Sequence, residues 1–243
     1  MQFYNDQEVL SQNKTSSVVL PIAKVYLYFA LALIISALAA FTFPYIAVAI
    51  GGAENGINVY IGGIIVSALL LFPLSIAMVI SSFRARISSK GIGITICYIL
   101  YSLAMGVLLS SCFMAFEIED IYYSLFITAG AFLIMSAVGF ATKGRLNGAI
   151  SFVIGAFFAV FILSLINVFF FNETIYWIIS FAMLFIILMY VAIDTNRIKQ
   201  LAQSGHLGQS NHMAIYCAYM LYTDFITIFL YILRFVAAFK DNQ

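Results

Sequence analysis

The stretch Val59–Phe83, VYIGGIIVSALLLFPLSIAMVISSF, runs without a single charged residue. Its apolar residues are continuous rather than alternating. A spanning helix needs about 20 of them to cross roughly 30 Å of hydrocarbon, whereas a barrel strand is about half as long and alternates. The stretch therefore reads as a transmembrane helix. Six others share its character: Val25–Tyr45, Ile92–Phe116, Ile121–Thr142, Ala149–Phe171, Ile175–Ile193 and Met213–Phe235. Only the last of these holds charged residues. The fold class is an all-α integral membrane protein with seven transmembrane helices.

Composition agrees with that reading. Of 243 residues, 64% are hydrophobic and 9% charged, where a soluble domain carries roughly a quarter charged residues. So few charges cannot cover the exterior of a water-soluble domain, so the apolar exterior must face lipid. The lipid bilayer is thus the first partner. The net charge of +1 supplies no basic field, and neither a Lys/Arg-rich run nor zinc-ligand spacing is present, so nucleic acid is excluded as a partner. Cys97, Cys112 and Cys217 each sit inside an apolar run and read as small hydrophobes.

The connections between spans sort by charge. Arg84, Arg86 and Lys90 lie between the second and third spans, Lys143 and Arg145 between the fourth and fifth, and Arg197 and Lys199 between the sixth and seventh. Lys14 and Lys24 precede or open the first span. The remaining connections hold only acids: Glu54, then Glu117, Glu119 and Asp120, then Glu173. Positive charge accumulates on the cytoplasmic side, so the N terminus is expected in the cytoplasm and seven spans put the C terminus outside. Residues 1–20 form a polar tail without a signal peptide's cleavage site, and the first helix is expected to stay as a membrane anchor. Residues 21–243 form a single seven-helix domain.

Several features need no function to explain them. Trp177, Tyr122 and Tyr123 fall beside the acidic connections, where aromatic rings anchor at headgroups. Gly148, Ser151 and Gly155 make a small-residue stripe that would let a neighbouring backbone approach closely. Pro73 is expected to kink the second span or free a carbonyl.

Asp224 is the one acid deep in a span, about 16 Å from Met213 at 1.5 Å per residue. A charge at the bilayer centre costs at least about 2.5 kcal/mol, and such residues face the bundle interior and mark ion or proton paths. Asp194 lies at the end of the sixth span, where it either pairs with Arg197 as an ordinary i+3 ion pair or joins the function. A short loop connects the two helices, which are therefore expected to be antiparallel neighbours. If the two carboxyls meet, like-charge repulsion makes them share one proton and titrate as a unit. Arg86, with Arg84 as runner-up, is the basic residue available to latch such a pair. Each also serves as a topology determinant.

The segment Leu221-Tyr222-Thr223-Asp224-Phe225-Ile226-Thr227-Ile228-Phe229, running on to Leu233-Arg234, resembles the seventh helix of the transmembrane Bax-inhibitor-motif family, Leu-Tyr-Leu-Asp-Phe-Ile-Asn-Leu-Phe ending in Leu-Arg. Asp194-Thr195-Asn196-Arg197-Ile198-Lys199 is similar to that family's Asp-Thr-Gln-Lys-Ile-Lys, and Tyr101–Gly106 and Gly139–Lys143 are weaker echoes. Departures are Thr223 for Leu, Thr227 for Asn, and Ile193 for Tyr. The resemblance implies a central seventh helix surrounded by the other six, and a pH-sensitive calcium leak in which Asp194 and Asp224 share a hydrogen bond. It also implies that a basic residue near Arg86 latches the closed state, and that Thr227, one turn from Asp224, adjoins the pore.

The function expected is a pH-sensitive calcium leak channel or ion-homeostasis protein of a bacterial-type inner membrane. Glu117, Glu119 and Asp120 would form an acidic outer mouth that concentrates calcium or another cation. No tightly bound metal and no cofactor is expected, only transient calcium passage. The alternative is a non-transporting regulator that binds a membrane protein, such as a protease or cell-death factor, through the polar tail. An enzyme is not expected: Asp224 lacks a Gly-x-Gly-Asp context, and neither Gly-x-Ser-x-Gly nor His-Glu-x-x-His occurs.

Overall fold

A computed structural model describes the backbone of residues 2–84, 92–144, 146–209 and 211–241, and the side chains of residues 18–52, 54–81, 93–144, 146, 148–207 and 211–240. It is all-helical, with no strand among the described residues. The elements are α1 (Gln2–Arg84), α2 (Ile92–Leu109), α3 (Cys112–Ala115), α4 (Ile118–Ala141), α5 (Asn147–Phe170), α6 (Glu173–Gln203), α7 (His206–Gln209) and α8 (Asn211–Asp241). Helices satisfy every backbone group within the segment, which is why apolar runs of this length adopt them in lipid.

Among the described residues seven stretches are long and apolar enough to cross a membrane: Val18–Gly52, Glu54–Ser81, Gly93–Ala115, Ile118–Ala141, Gly148–Phe170, Glu173–Gln203 and Asn211–Lys240. They match the seven expected spans. The first two lie within α1, which breaks at Gly52 (φ 66°, ψ −172°), a left-handed conformation that a side chain would strain. Half of the seventh span's apolar window is buried, more than in any other span.

The chain divides into two compact units. One comprises residues 1–117 and 201–222, the other residues 118–200 and 223–243. In the first unit α1 packs on α2 through Gly106, where a Cβ would lie 2.5 Å from the Ser36 carbonyl oxygen and 2.6 Å from Ala39 Cβ. Beside that contact Ser36 Oγ is 2.8 Å from the Ser102 carbonyl oxygen, 2.9 Å from the Ala32 carbonyl oxygen and 2.6 Å from Tyr222 Oη. Both carbonyls can only accept, so the single Ser36 proton is committed to them and the Tyr222 hydroxyl donates. Tyr98 and Tyr101 of α2 meet Tyr219 and Tyr222 of α8 edge to face, with centroids 5.0 to 6.5 Å apart.

In the second unit, α5 lays Val153 and Val160 against Ile186 and Ile193 of α6. The N terminus of α6 is capped by Asn172, whose Oδ1 accepts from the Ile175 amide at 3.0 Å. The close approach here is at Gly139 of α4, which sits directly against the Ala192 carbonyl of α6. The stripe Gly148, Ser151 and Gly155 does not play the expected role. It lies mostly on the exposed side of α5, and a Cβ at either glycine would meet nothing within 4 Å. Small residues permit close packing but do not choose the face that packs, and on α5 the branched Val153 and Val160 fill the contact instead.

Candidate functional site

α6 reaches α4 with its polar residues. A helix ends with carbonyls that have no partner in their own backbone, and lipid offers none. At the end of α4 these are supplied by α6: Asn196 Nδ2 donates to the Gly139 and Thr142 carbonyls at 3.2 and 3.1 Å, and Lys199 Nζ to the Phe140 and Thr142 carbonyls at 2.7 and 3.3 Å. Gln200 adds a bond to the Gly144 carbonyl and another to Asn196 Oδ1. A lysine at a helix C terminus also faces the negative end of its dipole. Much of the Asp194–Lys199 motif thus joins α6 to α4 and fixes the rotation of α6.

That rotation puts Asp194 and Thr195 inside. Asp194 is buried, and Thr195 Oγ1 lies 3.5 Å from Ser136 Oγ of α4. Because α6 continues as helix to Gln203, Asp194 is an interior helical residue rather than a terminal one. Asp224 lies in the part of α8 that belongs to the same unit, and its Oδ2 is buried with no hydrogen-bond partner among the described residues. Asp194 and Asp224 are close enough for each charge to act on the other, and Tyr190 is within electrostatic reach of both. Arg197 is exposed and acts on Asp194 at longer range than an ion pair.

The other expected residues fall out differently. Thr227 spends its hydroxyl on its own helix, donating to the Thr223 carbonyl at 2.7 Å. Arg86 lies outside the described residues, and for Arg84 only the backbone is described. Glu117 and Glu119 are exposed, but Asp120 is not a solvated mouth residue. It is buried in the first turn of α4, and Lys240 near the end of α8 places Nζ 3.5 Å from its Oδ1. The sequence reading grouped it with its exposed neighbours because they are adjacent. In a helix, however, residue 120 points about 100° away from residue 119 and 200° away from residue 118.

Comparison with known proteins bears on this arrangement. The family model for inhibitor of apoptosis-promoting Bax1 matches residues 18–241. The chain belongs to the Bax-inhibitor family. A protein of Borreliella burgdorferi is 32% identical over 244 residues, covering 97% of each chain. The Escherichia coli inner membrane protein YbhL is 28% identical over 170 residues, covering 68% of this chain and 71% of its own. A Rickettsia prowazekii protein is 29% identical over 221 residues, covering 90% and 89%. This Bax-inhibitor family member is accordingly a multi-pass membrane protein embedded in the bilayer, with an inner membrane protein among its relatives.

Sequence reasoning missed Ser36, Ser136, Asn196, Lys199 and Tyr222 as polar organisers of the bundle. Their signal was available: a polar side chain in a lipid-crossing helix must find a partner inside. What the sequence lacked was the identity of each partner, which lies tens to hundreds of positions away.

Proposed function

We propose that this protein is a pH-regulated cation leak, with calcium as the expected ion, in which Asp194 and Asp224 share a proton and act as the latch. The observation that carries the reading is the buried, partnerless Asp224 Oδ2 within electrostatic reach of the buried Asp194. Two carboxylates in a medium of low dielectric repel each other, and a shared proton removes that repulsion. Its loss leaves two negative charges facing each other, which favours either their separation or the entry of a cation between them. Arg86, with Arg84 as runner-up, is the proposed basic partner of the closed state. The role is non-enzymatic and needs no resident cofactor, and the proposed setting is a bacterial-type inner membrane with the N terminus in the cytoplasm.

The test is calcium efflux from proteoliposomes across a pH series. Asp224→Asn keeps the size of the side chain but cannot share a proton as a carboxyl pair does, so the pH dependence of efflux should shift, and Asp194→Asn with Asp224→Asn should abolish it. If both the flux and its pH dependence match the parent protein, the mechanism is wrong. A folded parent protein with no cation flux at any pH would instead favour the non-transporting regulator.

A further inference from the structure

α4 carries a second arrangement that the aspartate latch does not use. Its outer faces are apolar and lipid-directed, with Phe126, for example, 78% exposed. Its buried residues are Asp120, Ile121, Ser124, Thr128, Phe132, Ser136 and Gly139. Asp120, Ser124, Thr128, Phe132 and Ser136 recur one in four, a row that rises about 6 Å and winds about 40° around the helix at each step. Four of these five are polar. Thr128 donates its hydroxyl to the Ser124 carbonyl at 2.7 Å, which leaves its oxygen able to accept or ligate, and Ser136 Oγ lies 3.5 Å from Thr195 Oγ1. Ser124 is 0% exposed and its Oγ has no hydrogen-bond partner among the described residues. A partnerless buried hydroxyl calls for an explanation, and a water molecule or a cation is a partner its chemistry fits.

The row has an end and an interruption. At its end the Lys240 ammonium sits 3.5 Å from the Asp120 carboxylate, where an entering cation would sit, and its side chain is 45% exposed and so displaceable. Below Thr128 the row is interrupted by Phe132, packed edge to face against Phe225 with centroids 5.5 Å apart. Phe225 adjoins Asp224 in sequence, and beyond Phe132 the row resumes at Ser136, beside Thr195. Apolar rings that close a polar passage exclude water until they part.

We propose that the buried face of α4 is one half of a hydrated cation path, with Asp120 as entry ligand under a Lys240 cap, Ser124 and Thr128 as lining, and the Phe132–Phe225 pair as the closure. Carboxylate and hydroxyl oxygens are ligands for hard cations, calcium and sodium among them. This inference rests on the cation-leak reading, but it can fail separately.

Two readouts in proteoliposomes of the full chain test it. The first is calcium flux: Phe132→Ala and Phe225→Ala should each raise it by roughly two- to tenfold, the range that loss of one ring–ring contact in the closed state produces. Lys240→Gln should raise flux, and Asp120→Asn should lower it. The second readout does not depend on calcium. In a background with Cys97, Cys112 and Cys217 replaced by alanine, Ser124→Cys should react with a positively charged methanethiosulfonate reagent, faster with Lys240→Gln, whereas the lipid-facing Phe126→Cys should stay inert. Labelling of Ser124→Cys without any calcium flux supports the path and overturns calcium as its cargo. If Ser124→Cys is as inert as Phe126→Cys, and the Phe132, Phe225 and Lys240 variants leave a measurable leak unchanged, the path is wrong even where Asp224→Asn alters that leak.

Discussion

Gly139→Ala should destabilise the protein far more than any other glycine-to-alanine change in α4 or α5. The added methyl would overlap the Ala192 carbonyl oxygen and lie 2.9 Å from Thr195 Cβ and 3.1 Å from the Ala192 carbonyl carbon. Ordinary carbon contacts are about 3.5–4.0 Å, so α4 and α6 must separate by on the order of 1 Å. Overpacking of this kind costs roughly 1–3 kcal/mol. The same separation stretches the Asn196–Gly139 and Lys199–Phe140 hydrogen bonds, 3.2 and 2.7 Å long, each worth about 0.6 kcal/mol in a membrane protein. The expected loss is about 2–4 kcal/mol. Gly130→Ala and Gly148→Ala are the controls, because a Cβ at either position meets nothing within 4 Å, and helix propensity there favours alanine by roughly 0.5–1 kcal/mol. Equilibrium unfolding in mixed micelles measures all three. A Gly139→Ala value within about 0.5 kcal/mol of Gly130→Ala would refute the reasoning, because a true backbone contact cannot absorb a methyl at so small a cost.

Two further stability measurements follow from the polar contacts. Ser36→Ala should cost roughly 1–3 kcal/mol because it strands the buried Tyr222 hydroxyl, whereas Tyr222→Phe removes the donor and should cost only about 0.6 kcal/mol. The double variant should then cost less than the sum, and strict additivity would show that the pair does not interact. Asn196→Ala leaves the Gly139 carbonyl without its side-chain donor and should lower stability by roughly 1–3 kcal/mol. Gln200→Ala, at the exposed edge of the same cap, should cost less, and the reverse order in the unfolding titration would count against the cap.

The motifs around Asp194 and Asp224 were legible because their residue types are rare inside lipid-crossing helices, so each acid stood out against an apolar background. The burial of Asp120 was not legible, because its neighbours Glu117, Ile118 and Glu119 are exposed and local sequence cannot tell which member of an acidic cluster turns inward. The stripe on α5 failed for a related reason. Close approach needs two partners, and the chain reveals only one at a time.

By itself the sequence determined the solvent, the number of spans and the family. Each follows from properties summed along the chain: continuous apolar length, scarcity of charge, and two short motifs. Tertiary structure alone decided which face of each helix is inside. In water the apolar side of a helix announces its core face, but in lipid both the core side and the exterior are apolar, and the 3.6-residue pattern fades. The inward face is then marked only by polar side chains and by glycines such as Gly106 and Gly139 that touch another backbone. Their meaning comes from partners distant in the chain: Ser36 with Tyr222, Asn196 with Gly139, and Asp120 with Lys240.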